Sequence, residues 1–196
     1  TKIIDKLKNL KKLTVYNTKK KIKYSEIKNI DLIISFGYKH IISNEILKKN
    51  KNFLNLHISY LPFNKGAHPN FWSFAENTPS GVTIHKIEES IDSGNIIYQK
   101  LIDFELFKNK KKLTFSNTYN TLISEIENMF ISNIQNILNY DYEEYEQVGD
   151  GSSHNSRDLP SILKSWDQNI FSTVKKYQKE KIFKINHKLK LLNEIE

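Results

Sequence analysis

The chain has 196 residues, a formal net charge of +8 and no cysteine. This length supports one well-buried core and is too short for two. The lack of cysteine excludes disulfides, a thiolate nucleophile and Cys-ligated zinc, and it favours a cytoplasmic location. No apolar run approaches the roughly 20 residues of a membrane span, so the chain is predicted to be soluble, with no membrane partner.

The positive charge comes almost wholly from lysine, since Arg157 is the only arginine. Arginine is the residue that bidentate phosphate and base recognition prefers. A nucleic-acid partner is therefore not favoured, although a basic RNA-binding module remains the alternative outside the enzymes. The charge does predict a modest attraction for small anionic substrates.

The first part of the chain alternates between helix and strand patterns. The predicted elements are a helix over 1–10, strands over 13–17 and 31–36, a helix from about 43 to 49, and a strand over 53–59. A strand, helix, strand order is typical of parallel βαβ units, whose ligands bind outside the carboxyl ends of the strands. We therefore expect an α/β fold in which Gly37 and residues 55–59 face one crevice.

The second part continues with mixed patterns. The predicted elements are a helix over 69–77, strands over 81–88 and 96–104 that flank a loop, a long helix, a loop over 141–158 and a helical region from Pro160. The long helix has an apolar stripe of Leu122, Ile126, Met129, Phe130, Ile134 and Ile137. The aromatic residues Phe71, Trp72 and Phe74 are interpreted as core. We expect a single domain over 1–196, with its core over about 1–140 and a C-terminal loop and helices over 141–196.

Residues 53–98 contain three of the six glycines, three of the four prolines and the most suggestive polar groups. Asn55 and His57 are two apart on a strand, so they share a face, and their N–H groups are donors that suit a developing oxyanion. Asp92 joins them if the loop next to Gly94 folds back. Because this set has no nucleophile of its own, it suits a reaction in which one substrate attacks a carbonyl of another.

Other interpretations of these residues remain open. Asn55 and His57 could make strand-end hydrogen bonds, and Asp92 could form an Asx turn. His85 is interpreted as a structural residue of its strand. His57, His68 and His85 with Asp92 could be zinc ligands, but their spacing matches no compact zinc pattern. No metal is therefore predicted.

A longer pattern resembles a known family. The run NLHISYLPFNKGAHP over 55–69 is preceded by DLIISFG over 31–37 and followed by GVTIH over 81–85 and IDSG over 91–94. Together they closely resemble the folate-dependent formyltransferases. The resemblance implies a Rossmann-like formyltransferase fold, with a mostly parallel central sheet flanked by helices and a helical C-terminal region. Family members begin with a strand before the first helix, so either the chain starts after that strand or the sheet lacks it.

The resemblance also implies a cofactor and a chemistry. N10-formyltetrahydrofolate would donate its formyl group to a primary amine. Asn55 and His57 would polarise the formyl oxygen, while Asp92 would orient His57 or a water and help to move the amine proton. The residues that would contact the pterin, largely through their main chain, are Tyr38, His40, Ile42, Ile87 and Glu89.

The acceptor is the least defined part of the resemblance. The runs LPFNKGAHPNFWSF and GSSHNSRDLP look most similar to sugar N-formyltransferases acting on nucleotide-linked amino deoxysugars. The candidate phosphate and sugar contacts are then Lys65, His68, His154 and Arg157. Enzymes that formylate glycinamide ribonucleotide or methionyl-tRNA, and a formyltetrahydrofolate hydrolase, are the alternatives. A homodimer is left open.

Overall fold

The computed structural model describes residues 1–10, 13–49, 52–107 and 112–193, with side chains described as far as residue 183. The helices are α1 (Lys2–Lys8), α2 (Tyr24–Ile27), α3 (Asn44–Lys49), α4 (Pro69–Ala75), α5 (Phe115–Ser132), α6 (Ile134–Asn139) and α7 (Ile170–Asn193). The strands are β1 (Ile33–Ser35), β2 (Phe53–His57), β3 (Lys65–Gly66), β4 (Gly81–Lys86), β5 (Ile96–Leu101) and β6 (Ser153–His154). None of the helices in the described ranges combines the length and the apolar character that a membrane crossing requires.

Four of the described strands form one sheet in the order β1-β2-β4-β5. β1 and β2 are parallel, whereas β4 is antiparallel to both β2 and β5. β1, β2 and β5 therefore run in one direction and β4 runs against them. Three of these four strands share one direction, which confirms the predicted mostly parallel sheet. The hydrogen-bonded pairs are mixed, because one pair is parallel and two are antiparallel.

The side chains of β2 show how this sheet is buried. Phe53 packs on one face against Ile27 and Ile46, which belong to α2 and α3. Leu54 and Leu56 pack on the other face in a cluster that includes residues of α1, α5 and α6. Helices thus cover both faces, which confirms the predicted α/β architecture. Because β2 is covered on both sides, the polar groups at its carboxyl end lie in a largely apolar setting.

Two predicted elements differ from the structure. Residues 13–17 form no strand, because β1 is the edge of the described sheet and the exposed Leu13 and Tyr16 gain little from pairing there. The last helix begins at Ile170 rather than near Pro160, because the Gln168 side chain accepts hydrogen bonds from two preceding backbone N–H groups and holds a turn.

The long amphipathic helix is present but interrupted. It ends at Ser132 and resumes as α6 after Asn133. The Asn133 amide Nδ2 donates to the Met129 carbonyl oxygen at 2.8 Å, which competes with the regular helical ladder. Most of the predicted stripe is nevertheless buried, including Phe130 and Ile137 with no measurable exposure. The stripe of Ile182, Ile185, Leu189 and Leu192 in α7 lies mostly outside the residues whose side chains are described.

A second, two-stranded sheet pairs β3 with β6 in parallel. Gly66 lies opposite His154, and a Cβ atom at Gly66 would collide with the His154 carbonyl oxygen. Gly151 is similarly tight against the Pro62 carbonyl, and both glycines have positive φ angles. These close approaches bring the predicted loop over 141–158 back onto the carboxyl side of β2.

Helix α4 continues directly from this small sheet. Pro69 occupies its first turn, and Phe71 and Trp72 are buried, which confirms that these aromatic residues belong to the core. Asn70, 4% exposed, donates from Nδ2 to the Phe115 carbonyl oxygen at 2.9 Å and accepts from Thr118 Oγ1 at 2.9 Å. One buried amide therefore fixes α4 to the first turn of α5.

This contact gives a prediction for stability. Asn70→Leu keeps the approximate side-chain volume but leaves the Phe115 carbonyl and the Thr118 hydroxyl without this partner. We expect the free energy of unfolding to fall by about 1–3 kcal/mol, measured by urea denaturation. The matched control is Asn136→Leu on the exposed face of α6, expected to change stability by no more than about 0.5 kcal/mol. Equal effects of the two substitutions would contradict the proposed link.

Candidate active site

Three polar side chains meet at the carboxyl end of β2, as the sequence predicts. Asn55 and His57 extend from the strand on the same face, and Asp92 reaches them from the loop between β4 and β5. Asn55 Nδ2 donates to Asp92 Oδ1 at 3.0 Å, and His57 Nε2 lies 3.6 Å from Asp92 Oδ2. The side chains of His57 and Asp92 are only 9% and 11% exposed. The loop thus folds back to the sheet edge.

The Asp92 loop is held in place by hydrogen bonds between side chains and main-chain groups. Asp92 has a φ of 49°, and its Oδ2 accepts from the Gly66 N–H at 2.8 Å. The Gln147 amide donates to the carbonyl oxygens of Asp92 and Gly94, each at 2.9 Å. The carboxylate is therefore directed towards Gly66 and Asn55 rather than into an Asx turn with its own backbone.

His85 completes the cluster from the neighbouring strand. The β2–β4 register places it opposite Asn55, and the residue is 1% exposed. Its Nδ1 lies 2.6 Å from the Lys86 carbonyl oxygen, which can only accept, so Nδ1 carries the hydrogen. In the neutral ring, Nε2 is then an acceptor for Asn55 Nδ2 at 3.3 Å. His85 is therefore part of the site's hydrogen-bond network as well as part of a strand.

Burial and hydrogen bonding set the charges of this cluster. Burial alone would raise the pKa of Asp92, but the adjacent imidazoles of His57 and His85, whenever one is protonated, and the Gly66 N–H outweigh it and hold that pKa well below its usual range. The Gly66 and Asn55 donors act whether or not a histidine is protonated. Burial lowers the pKa of His57, only partly offset by the charge of Asp92. The site near neutral pH is thus an ionised carboxylate beside a neutral imidazole and a primary amide.

These groups open onto a cleft of about 490 Å³. Part of its lining comes from the segments that directly succeed β1 and β4 in the sequence. All five residues predicted to contact the pterin lie there: Tyr38, His40, Ile42, Ile87 and Glu89. The remaining lining includes Gly66, Tyr119 and residues 154–156. A single cleft therefore joins the polar cluster to the segment that the resemblance assigns to a flat bicyclic ring.

The predicted sugar and phosphate residues are only partly brought together. His154 lines the cleft, whereas Lys65, His68 and Arg157 do not, although each is adjacent in sequence to a residue that does. The His68 ring instead lies 5.4 Å from the Trp166 ring, and burial lowers its pKa. Arg157 is exposed at the end of the segment 154–156.

Sequence reasoning missed several contacts of the cluster. Gln147 is 55 residues from Asp92, in an acidic stretch, and nothing in its neighbourhood marks it as a partner of Asp92. Glu76, which contacts His154, was read only as part of a helix. The alternation of β4 does predict which face His85 shares with Thr83. Its position opposite Asn55 depends on the β2–β4 register, which only the fold provides.

Metal binding is not indicated by the geometry of these groups. His57, His85 and Asp92 come together, while His68 lies elsewhere against Trp166. Within the described ranges, no group of three or more His, Cys, Asp or Glu side chains is arranged to hold a metal ion.

Comparison with known proteins places this site in a family context. Residues 6–122 match the model of the formyl transferase family. Among solved structures, the chain resembles the formyltransferase PseJ from Anoxybacillus kamchatkensis, crystallised in complex with UDP-4,6-dideoxy-4-formamido-L-AltNAc and tetrahydrofolate. The two share 36% identity and a TM-score of 0.72, over 82% of this chain and 85% of that one.

Curated relatives include proteins with different acceptors. The chain is 32% identical, over 81% of its length, to the bifunctional polymyxin resistance protein ArnA of Wigglesworthia glossinidia brevipalpis, and it covers 24% of that protein. It is 34% identical, over 68% of its length, to a methionyl-tRNA formyltransferase of Prochlorococcus marinus, of which it covers 42%. The chain thus spans less than half of either curated relative. The family match over most of the sheet and the cleft confirms the resemblance read from the sequence: this chain belongs to the formyl transferase family.

Proposed function

We propose that this protein transfers the formyl group of N10-formyltetrahydrofolate to the amine of a nucleotide-linked amino deoxysugar. The observation that carries the proposal is the convergence of Asn55, His57 and Asp92 in one cleft. The likeness to PseJ, at 36% identity and with a UDP-linked formamido sugar and tetrahydrofolate in its structure, supports the sugar as acceptor. The net charge of +8 suits a diphosphate-bearing substrate.

The polar cluster has the donors that this reaction needs. The acceptor nitrogen attacks the formyl carbon, a C–N bond forms, and the carbonyl oxygen becomes negative in the tetrahedral intermediate. Asn55 Nδ2 has two hydrogens, one bonded to Asp92 and one directed at His85 Nε2, and the oxyanion would replace His85 as the acceptor of the second. His57 supplies a neutral imidazole N–H. Donors of this kind stabilise a developing oxyanion. The intermediate then loses its bond to N10, which takes a proton as the acceptor amine gives one up.

The folate would occupy the part of the cleft next to β1 and β4. Tyr38 makes two hydrogen bonds through its hydroxyl, donating to the Lys20 carbonyl at 3.1 Å and accepting from the Ile22 N–H at 2.9 Å. Asn44 similarly donates to Glu89. These side-chain contacts fix the segments around residues 38 and 89. The main-chain groups of the two segments would then be available to bind a flat ring. The cofactor residues would therefore act as a rigid slot more than through side-chain identity.

A second candidate acceptor is methionyl-tRNA, favoured by the 34% identity to a methionyl-tRNA formyltransferase. The same donors would serve that reaction, because the chemistry at the formyl carbon is identical. Steep salt-dependent binding of tRNA, together with formylation of charged tRNA and not of amino sugars, would favour this candidate.

The proposal predicts the effect of three substitutions. Asn55→Ala, His57→Gln and Asp92→Asn should each lower kcat/KM for formyl transfer by about 10²–10³-fold, because each removes a donor or the charge that orients it. The measurement is mass spectrometry of nucleotide-linked amino sugars incubated with N10-formyltetrahydrofolate. Asn120→Ala, on the exposed face of α5, is the control and should keep wild-type turnover.

Two results would count against this assignment. Unchanged turnover in all three variants would remove the mechanism. Formate release by the wild-type protein at the same rate with and without any amino sugar would identify a hydrolase instead.

The neutral state of His57 gives a prediction for pH. Its pKa is lower in the folded protein than in the unfolded chain, so below about pH 6.5 the unfolded chain binds a proton that the folded protein does not. Stability should therefore fall as pH falls below that value, by at most about 1.4 kcal/mol per pH unit from this residue. The lowered pKa of Asp92 affects stability in a separate pH range. Stability from this residue is lost as pH falls below about 4.

The test compares unfolding in urea at about pH 7.5 and about pH 5. His57→Gln should lose less stability between these conditions than the wild-type protein. The exposed His40, replaced by Gln, is the control and should keep the wild-type dependence. An identical pH dependence in His57→Gln and wild type would show that His57 is not held neutral by burial.

A further inference from the structure

A second carboxylate–imidazole pair borders the same cleft. His154 Nε2 lies 3.2 Å from Glu76 Oε2, and the His154 ring stacks on the indole of Trp72 with centroids 3.9 Å apart and planes 9° apart. The side chains of His154 and Glu76 are 12% and 28% exposed. His154 lines the cleft that also contains Asn55 and His57. Its ring is therefore fixed in orientation at the edge of the candidate active site.

The backbone ties this pair to Asp92 through one residue. Gly66 donates its N–H to Asp92 Oδ2 and lies opposite His154 in the small parallel sheet. The Ala67 N–H donates to the His154 carbonyl oxygen at 2.8 Å. Asp92 and His154 are therefore positioned on the two sides of Gly66, and neither can shift freely relative to the other.

The hydrogen bond to Glu76 fixes the chemistry of the ring. A carboxylate can only accept, so His154 Nε2 carries a hydrogen, and in the neutral ring Nδ1 is an acceptor. Within the part of the chain that the structure describes, the His154 ring makes its hydrogen bond through Nε2 and not through Nδ1. The neutral imidazole with Glu76 has a net negative charge, which disfavours a phosphate and favours a cation. Of the predicted phosphate and sugar contacts, we therefore assign His154 to the amine of the sugar and not to the phosphate.

We propose that Glu76 and His154 form the amine subsite of the acceptor, where His154 Nδ1 takes the proton that an ammonium group must lose before it can attack. This inference rests on the proposed function. The step converts R–NH₃⁺ and neutral His154 into R–NH₂ and an imidazolium stabilised by Glu76. The neutral amine then attacks the formyl carbon next to Asn55 and His57, and Asp92 remains available for the later proton transfer to N10.

Other titratable groups near His154 come from three segments. Glu76 directly follows α4, and Tyr177 of α7 contacts Trp72 edge-on with ring centroids 6.2 Å apart. Burial first, and then the charge of Glu76, raises the pKa of Tyr177, so its hydroxyl stays neutral. Asp92 acts from beyond Gly66. Glu76 and Asp92 are both carboxylates, so these neighbours of the ring suit a cationic group of the acceptor.

The test uses His154→Gln and Glu76→Gln, with Glu180→Gln on the exposed face of α7 as the control. Near neutral pH, both variants should lower kcat/KM for the amino sugar by about 10²-fold, within the range for a positioned general base. The defect should shrink as pH rises above the pKa of the sugar amine, because the substrate then arrives neutral. KM for N10-formyltetrahydrofolate should stay at the wild-type value.

A structural role would give a different pattern. If the pair only fastens β6 to α4, the loss will be the same at every pH and will follow thermal stability, and this result overturns the inference while leaving the formyl transfer intact. His154→Ala provides a second measurement, since added imidazole should restore part of its activity only if a proton is transferred there. If wild-type protein formylates no nucleotide-linked amino sugar, the proposed function fails and this inference fails with it.

Discussion

The structure of the site depends on one buried negative charge. Asp92 lies in a loop between two strands, yet its carboxylate is 11% exposed and accepts hydrogen bonds from the Gly66 main chain and the Asn55 amide. Removing an ionised carboxylate from water is costly unless donors replace that water. These donors come from separate segments of the chain, so the charge is stable only when β2, the Asp92 loop and β3 are assembled together. The same contacts set the positions of the groups proposed to act on the formyl carbon.

This arrangement depends on Gly66, because a residue with a side chain would not fit at this position. A Cβ there would collide with the His154 carbonyl, and the φ of 83° is one that glycine adopts without strain. The close approach lets β6 pair with β3 and brings residues 154–156 to the cleft. A segment almost a hundred residues from β2 thus pairs with the residue whose N–H binds the Asp92 carboxylate. The proposed acceptor side and the proposed chemical centre are in this way parts of one hydrogen-bonded unit.

Local patterns predicted much of this molecule. The period-2 alternation of β2 placed Asn55 and His57 on one face, and the Gly94 turn allowed Asp92 to return to them, as observed. The strand predicted over 13–17 was wrong, because the exposed Leu13 and Tyr16 gain too little burial to repay pairing with the open edge of β1, and pairing is not encoded locally. Gln147, Glu76 and the position of His85 opposite Asn55 follow from long-range register and packing. No local pattern reports these, so they required the fold.

We infer that Asp92 stays ionised inside the folded site. The most direct measurement is the ¹³C chemical shift of its side-chain carboxyl carbon, assigned by comparison with Asp92→Asn and followed from about pH 7 down to about pH 4.5. We expect one unchanging, ionised signal over this whole range. A protonation midpoint inside it, above the value of about 3.9 for an unperturbed aspartate, would show that burial outweighs the donors and that the carboxylate is not held ionised.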